Sequence, residues 1–218
     1  MSARDVSVLA VVLPHTEKTR AEQRRQIEFA GENWTRNRYR AQQTVVEGLA
    51  RHLQARLAEK GVRSLNPEFL PQWSCLASPR FGMASRWSHR HAAFAAGLGT
   101  FGLSEGLITP AGKAMRCLSL VIGQALKPTP RDYTGPYDYC LHYTSGACGK
   151  CIKRCPAGAI SGKGHDKFRC EAYLYGKAVL HIAAAWPDIA GAYACGLCQA
   201  GVPCESRVPV PATRATPQ

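Results

Sequence analysis

Residues 6–13 form a nearly continuous run of apolar, mostly β-branched side chains that ends at Pro14. A run of this length and type predicts a buried strand. Residues 15–35 are polar and charged, which predicts a loop with a short helix. The chain therefore begins with a strand that belongs to a hydrophobic core.

The clearest helical pattern covers residues 37–60, where apolar side chains recur every three to four positions. The stripe that we expect to face the core consists of Val45, Val46, Leu49, Leu53 and Leu57. Gly61 is a favourable C-terminal stop, and residues 62–65 predict a short strand. A strand, a helix and a strand in succession indicate an α/β layer.

Residues 66–86 contain three prolines and predict irregular structure, in which Cys75 is expected to be a small buried side chain. Ser85 or Ser88 is expected to cap a helix over residues 89–96. Residues 107–109 and 115–122 predict the two strands of a hairpin, with Cys117 as a structural strand residue. Residues 127–136, which hold three prolines and a glycine, predict a linker.

The glycine-rich segment between these elements contains Gly97, Gly99 and Gly102. It follows a predicted helix instead of opening one after a strand, so it does not match a dinucleotide-binding fingerprint. Glycines in such a turn permit a positive φ or the close approach of a neighbouring segment.

The net charge of +13 is spread over both halves of the chain. It favours an anionic partner such as an acidic electron donor, a phosphorylated ligand or RNA, or else it describes a solvated surface. No aromatic and basic RNA-binding motif is present, so we do not expect nucleic acid to be the partner.

The first residues lack the features of a secretory signal, and no apolar stretch approaches the ~20 residues of a membrane span. We therefore expect a cytoplasmic protein without a membrane partner. Abundant cysteine in that compartment indicates metal or redox chemistry rather than disulfides.

Eight of the ten cysteines lie between positions 140 and 204. The spacing of Cys148, Cys151 and Cys155, with Pro156 after the last, resembles the bacterial ferredoxin pattern C-x2-C-x2-C-x3-C-P. Ser145 stands where the first cysteine belongs, and Cys140 lies five residues earlier, as though a short insertion separated them.

Three interpretations of these cysteines remain open: two 4Fe–4S clusters, a four-thiolate zinc site, and unmodified thiols or disulfides. Two clusters use all eight side chains and account for the Cys-Pro pair. The crossed ferredoxin arrangement predicts two groups. The first, here named the Cys204 group, is Cys140, Cys148, Cys151 and Cys204. The second, the Cys170 group, is Cys155, Cys170, Cys195 and Cys198.

Five residues separate Cys198 from Cys204, whereas the ferredoxin pattern has three. Residues 199–203 must therefore bulge to bring Cys204 to its group. Both irregularities fall on the Cys204 group, which predicts a labile cluster or a three-iron form at that site.

The segment 88–109 and the motif Cys195-Gly-Leu-Cys198-Gln-Ala-Gly-Val-Pro-Cys204 together resemble the epoxyqueuosine reductase and reductive dehalogenase superfamily. The resemblance implies an α/β (α+β) fold: a truncated, nitroreductase-like domain over residues 1–130 and a ferredoxin-like domain over residues 131–218 with two 4Fe–4S clusters. It implies an oxidoreductase that passes single electrons to a substrate or a corrinoid (cobalamin) near residues 88–102. Gly97, Gly99 and Gly102 are then candidates for cofactor binding.

The resemblance also implies a low-potential electron donor of the ferredoxin or flavodoxin type, and a second copy of the chain could complete a truncated cofactor domain. One feature departs from the family. The acidic proton donor of epoxyqueuosine reductases aligns near Met83, and no Asp or Glu lies between Glu68 and Glu105. His89 and His91 are the candidate catalytic substitutes, because histidine can donate a proton near neutral pH. The alternative is an electron-transfer protein that serves a separate enzyme.

Overall fold

The computed structural model describes residues 5–79 and 82–210. Its strands are β1 Ser7–Pro14, β2 Ser64–Leu65, β3 Cys75–Ser78, β4 Gly82–Ser85, β5 Thr100–Phe101, β6 Leu107–Ile108, β7 Met115–Ile122, β8 Ile160–Ser161 and β9 Gly164–His165. Its α-helices are α1 Glu17–Arg25, α2 Glu32–Arg40, α3 Glu47–Ala58, α4 His89–Ala95, α5 Leu141–Ser145, α6 Lys150–Lys153, α7 Lys167–Tyr173 and α8 Val179–Ala185.

The main sheet has the order β1-β7-β2, and both pairings are antiparallel. The two long strands pair along their whole length, from Ser7 opposite Ile122 to Pro14 opposite Met115. The predicted strand at residues 62–65 is confirmed as β2. It pairs with one edge of β7. The other edge of β7 pairs with β1, which lies more than a hundred residues earlier in the chain.

Helices cover both faces of this sheet, which explains the unbroken apolar run of β1. On one face Leu9, Val11 and Leu13 pack in a cluster with the α3 stripe. On the other face Ala10 and Val12 pack in a cluster with α4. The predicted mixture of helix and sheet is confirmed, whereas the ferredoxin-like character of the C-terminal part stays a prediction.

Residues 15–35 were predicted to form a loop with one short helix, and this was wrong because they contain α1 and the start of α2. Helix α1 is capped by Thr16, whose hydroxyl accepts from the Thr19 amide at 3.3 Å, and α2 begins at Glu32. The predicted helix at residues 37–60 is interrupted by a π-helical turn at Ala41–Val46, which rotates Val45 out of the apolar stripe to 50% exposure. Gly61 has a φ of 72° and ends this segment as expected.

The hairpin predicted for residues 107–122 was wrong. Strand β6 pairs with β5, whereas β7 pairs with β1 and β2, so the turn near Gly112 joins two different sheets. The sequence pattern identified the strands but not their partners. The predicted burial of Cys75 was also wrong, because this residue is exposed on β3.

Residues on both sides of position 130 pack together. One apolar cluster combines Leu103 and Ile108 with Tyr133 and Tyr139. Another surrounds Trp34 with side chains from the C-terminal part. The boundary at residue 130 stays a prediction. Cys140 and Cys151 belong to the same apolar cluster as Leu103 and Ile108. None of the helices in the two described ranges has the length and apolar character that crossing a bilayer requires.

Candidate iron–sulfur centres

All four cysteines of the Cys204 group line a single, partly open cavity. Gly102 and Leu103 form part of the same wall. Cys140 and Cys151 are buried, and the other two cysteines are partly buried. The four thiols that sequence spacing assigns to one group are therefore side by side, around a space with mainly apolar walls.

The displaced position of Cys140 has a local explanation. Cys140 precedes the short helix α5, which ends in a left-handed turn at Gly146 with a φ of 66°. His142 of this helix donates from Nδ1 to the Cys148 carbonyl oxygen at 3.0 Å. The extra residues thus form one helical turn between the two cysteines. This turn returns the chain to the cavity, so Cys148 lines the same cavity as Cys140.

The Cys170 group draws on three segments. Cys155 follows α6, Cys170 lies on α7, Cys198 lies within a 3-10 turn at Leu197–Gln199, and Cys195 precedes that turn. Gly196 has a φ of 66°, and an added Cβ would come within 2.3 Å of the Trp34 indole. The glycine of the C-x2-C motif therefore lets the chain turn under Trp34.

Burial raises the pKa of the thiols of Cys151, Cys170, Cys195, Cys198 and Cys204, and neighbouring cysteines add to the effect. The pKa of Cys151 rises to about 11, with contributions from Cys198, Cys204 and Cys140. The pKa of Cys195 rises to about 12 by burial, with smaller contributions from the other members of its group. Clustered thiols that resist ionisation in isolation are typical ligands for a cation that displaces their protons.

Lys113 lines the same cavity as the Cys204 group, and its side chain was not singled out by sequence. It is 2% exposed, and its Nζ donates to the Ser104 hydroxyl at 3.0 Å. Burial alone would lower the pKa of Lys113, but charge interactions with Cys204, Cys198 and Cys151 together hold it above its ordinary value. A buried lysine side chain therefore faces the Cys204 group.

Two further polar residues hold the cysteine segments in place. Glu205, 5% exposed, receives two hydrogen bonds from Arg24 and one from the Gly201 amide at 2.7 Å. Gln23 is fully buried and donates to the Cys195 carbonyl oxygen at 2.7 Å. Helix α1 thus anchors both C-terminal cysteine loops, a long-range relationship with no signal in local sequence.

The two candidate catalytic histidines have different surroundings. The Ser119 amide donates to His89 Nδ1 at 3.0 Å, and Nε2 of the same ring contacts the Glu68 carboxylate. Both nitrogens of His89 are therefore engaged within the fold. His91 is an exposed residue, and its Nδ1 lies 3.0 Å from the Ser88 hydroxyl. Partial burial of the ring lowers its pKa. Ser88 is also the N-cap of α4, as predicted.

The three candidate glycines are all closely packed. An added Cβ on Gly99 would meet the Ile108 carbonyl oxygen at 2.0 Å, and one on Gly97 would meet the Thr129 carbonyl oxygen at 3.2 Å. Gly102 lies against the Ile108 side chain. Close approach of backbone segments accounts for these glycines, and their role in cofactor binding stays a prediction.

Within residues 5–79 and 82–210, no three His, Cys, Asp or Glu side chains converge as the ligands of a single metal ion. In a four-thiolate zinc site each sulfur lies about 2.3 Å from one ion. The Cys204 group instead surrounds a cavity.

No protein-family model matches this chain, and no curated protein matches it. Among solved structures, epoxyqueuosine reductase from Bacillus subtilis, captured with its catalytic loop swung out of the active site, matches with a TM-score of 0.52. The match covers 94% of this chain at 17% identity. The two proteins share a fold.

The same match covers 49% of the Bacillus subtilis chain. The present chain therefore spans about half the length of the reductase that it resembles. The shared fold agrees with the resemblance seen in the sequence motifs.

Proposed function

We propose that this chain is an iron–sulfur oxidoreductase of the epoxyqueuosine reductase type. The Cys204 group and the Cys170 group would each hold one 4Fe–4S cluster. The proposal depends on one observation above all: Gly102, from the glycine-rich segment, shares a cavity wall with all four cysteines of the Cys204 group. Bound clusters would supply one electron at a time to a substrate or corrinoid beside residues 88–102.

The chain's own residues support this assignment in three ways. The cysteines provide two four-thiolate donor sets, the pattern that such clusters require. Mainly apolar walls line the cavity of the Cys204 group, and Cys140 and Cys151 are buried there. Phe94 of α4 packs against the same apolar cluster as Cys140 and Cys151, which connects the helix beside the proposed substrate region to the cysteines.

The surface next to Cys204 fits an acidic electron donor. A groove there is lined by Arg24, Lys150 and Arg207, and the carboxylate of Glu205 is paired with Arg24. Basic residues beside the nearest cysteine loop favour the approach of an acidic, low-potential protein of the ferredoxin or flavodoxin type. We assign the chain to the cytosol, where thiols stay reduced.

The test is anaerobic reconstitution with iron and sulfide, followed by metal counting and EPR spectroscopy of the reduced protein. We expect about eight iron atoms per chain, as for two 4Fe–4S clusters. Cys204→Ser and Cys170→Ser should each lose one cluster and keep the other. Cys75→Ser, at an exposed thiol outside both groups, is the matched control and should keep both.

Cobalt content measured after incubation with cobalamin tests the corrinoid part of the proposal. Zinc bound at one ion per chain, without iron or sulfide, would contradict the cluster assignment. Two intact clusters without any binding of corrinoid or reduction of a substrate would instead favour an electron-transfer protein.

A further inference from the structure

We propose that Lys113 is a positioning residue of the Cys204 group: its buried ammonium ion is the counter-charge of that group and makes the one-electron reduction of a cluster held there more favourable. This inference rests on the proposed function, because it concerns clusters held by these cysteines. It adds a role for a side chain outside both ligand sets.

The Lys113 side chain reaches the Cys204 group. It lines the same cavity as all four cysteines of that group. Its Nζ donates to the Ser104 hydroxyl at 3.0 Å, which holds the ammonium group in place. One buried positive charge is thus fixed beside the Cys204 group.

The fold fixes this side chain firmly. The Lys113 amide lies 2.8 Å from the Cys204 carbonyl oxygen and 3.0 Å from that of Glu205, and donates to both. An added Cβ on Gly106 would come within 2.7 Å of the Lys113 side chain. A Cβ on Gly112, which has a φ of 82°, would come within 2.3 Å of the Ser206 Cα atom. Gly106 therefore makes room for the Lys113 side chain, and Gly112 lets the chain after Cys204 pass close beside it.

Burying an ammonium ion is unfavourable unless anions compensate it. Each electron from a low-potential one-electron donor adds one negative charge beside four thiolates. A fixed positive charge nearby stabilises that reduced state, and it does so strongly because the lysine side chain is buried. Screening by solvent would remove most of this effect at an exposed lysine.

The experiment compares the reconstituted wild type with Lys113→Met and Lys113→Arg in anaerobic redox titrations followed by EPR and visible absorption. Lys113→Met should shift the midpoint potential of at least one cluster by ~59 mV to more negative values. At a given potential, the ratio of reduced to oxidised cluster then falls about tenfold. Lys113→Arg, which keeps the charge, should stay near the wild-type potential. Lys153→Met removes an exposed lysine of α6, outside the groove proposed for the electron donor, and should leave both potentials unchanged.

Iron and sulfide content is measured for every variant. If Lys113→Met loses a cluster that Lys113→Arg retains, the requirement for positive charge is supported. The inference is overturned if Lys113→Met keeps both clusters at wild-type potentials, if Lys113→Arg fails as Lys113→Met does, or if Lys153→Met shifts the potentials equally. A wild-type chain that binds no cluster would overturn the proposed function as well, so the two failures are distinguishable.

Discussion

Arg154 donates a hydrogen bond of 3.0 Å from Nε to the carbonyl oxygen of Ala200, and so joins the two cysteine segments. The same guanidinium group donates to the carbonyl oxygens of Gln23 at 3.0 Å and Gln26 at 2.7 Å. These two acceptors lie at the C-terminal end of α1, where helix carbonyls lack partners within the helix. One side chain therefore holds three separate segments around the Cys170 group.

We expect Arg154→Met to lower the free energy of unfolding by about 2–4 kcal/mol, because it leaves several partly buried carbonyl oxygens without a charged donor. Denaturant unfolding of the reconstituted protein measures this change. Lys153→Met, at the exposed neighbouring position, is the matched control and should have little effect. Equal losses in the two variants would show that Arg154 does not act as a clamp.

Glu205 is the second anchor, and its removal should loosen the loop that carries Cys204. Glu205→Gln leaves Arg24 without a buried carboxylate, so we expect a loss of about 2–3 kcal/mol in the free energy of unfolding. Faster release of iron from the Cys204 group, followed by the loss of visible absorbance, should accompany it.

Glu17→Gln is the control for this change. Glu17 pairs with the same arginine at 2.7 Å, but it is 62% exposed, so solvent screens the interaction. Its replacement should cost much less than that of Glu205. Similar losses would mean that burial of the Glu205 carboxylate adds nothing to the anchor.

Local patterns in the sequence predicted those parts of the fold that depend on neighbouring residues. The apolar run of β1, the α3 stripe and the Ser88 cap are set by local periodicity and capping chemistry. The crossed ferredoxin spacing also predicted which four cysteines surround the cavity at Cys204, although their role as ligands stays a prediction.

Features that depend on distant pairing could not be predicted in this way. Strand β6 pairs with β5 instead of β7, and a local hairpin pattern does not specify that choice. Lys113 is one of many basic residues in the sequence, and only the fold surrounds it with thiols. Likewise, Gln23 meets the Cys195 loop across 172 residues.

Gly99→Ala distinguishes a packing role from a cofactor-binding role in the glycine-rich segment. Its Cβ would overlap the Ile108 carbonyl oxygen, a backbone atom that cannot move alone. We expect a loss of about 2 kcal/mol or more in the free energy of unfolding. Gly102→Ala should cost less, because its nearest neighbour is the flexible end of the Ile108 side chain at 3.2 Å. A stable Gly99→Ala protein that no longer binds a corrinoid would support cofactor binding instead.

His89→Phe should destabilise the fold more than His91→Phe does. The first change leaves the buried Ser119 amide without its acceptor, which costs about 1–3 kcal/mol. The second keeps a ring beside Phe101, whose centroid lies 4.7 Å from that of His91. Denaturant unfolding compares the two. If His91 acts on a substrate, His91→Phe should lose turnover at nearly normal stability, whereas an active His91→Phe protein would exclude that role.

His15 should make stability depend on pH between about 4 and 6.5. Burial, assisted by Arg116 and Arg20, lowers the pKa of His15 to about 4 in the folded chain. Between these values the unfolded chain binds a proton that the folded chain does not, so stability falls as the pH falls. The linked loss is roughly 3 kcal/mol when the pH is taken from above 6.5 to below 4. The difference between the wild type and His15→Phe, which keeps a ring against Trp34, isolates this contribution from the titration of other groups. His52→Gln, at an exposed position on α3, should retain the full wild-type slope, and a His15→Phe protein with that same slope would contradict the assignment.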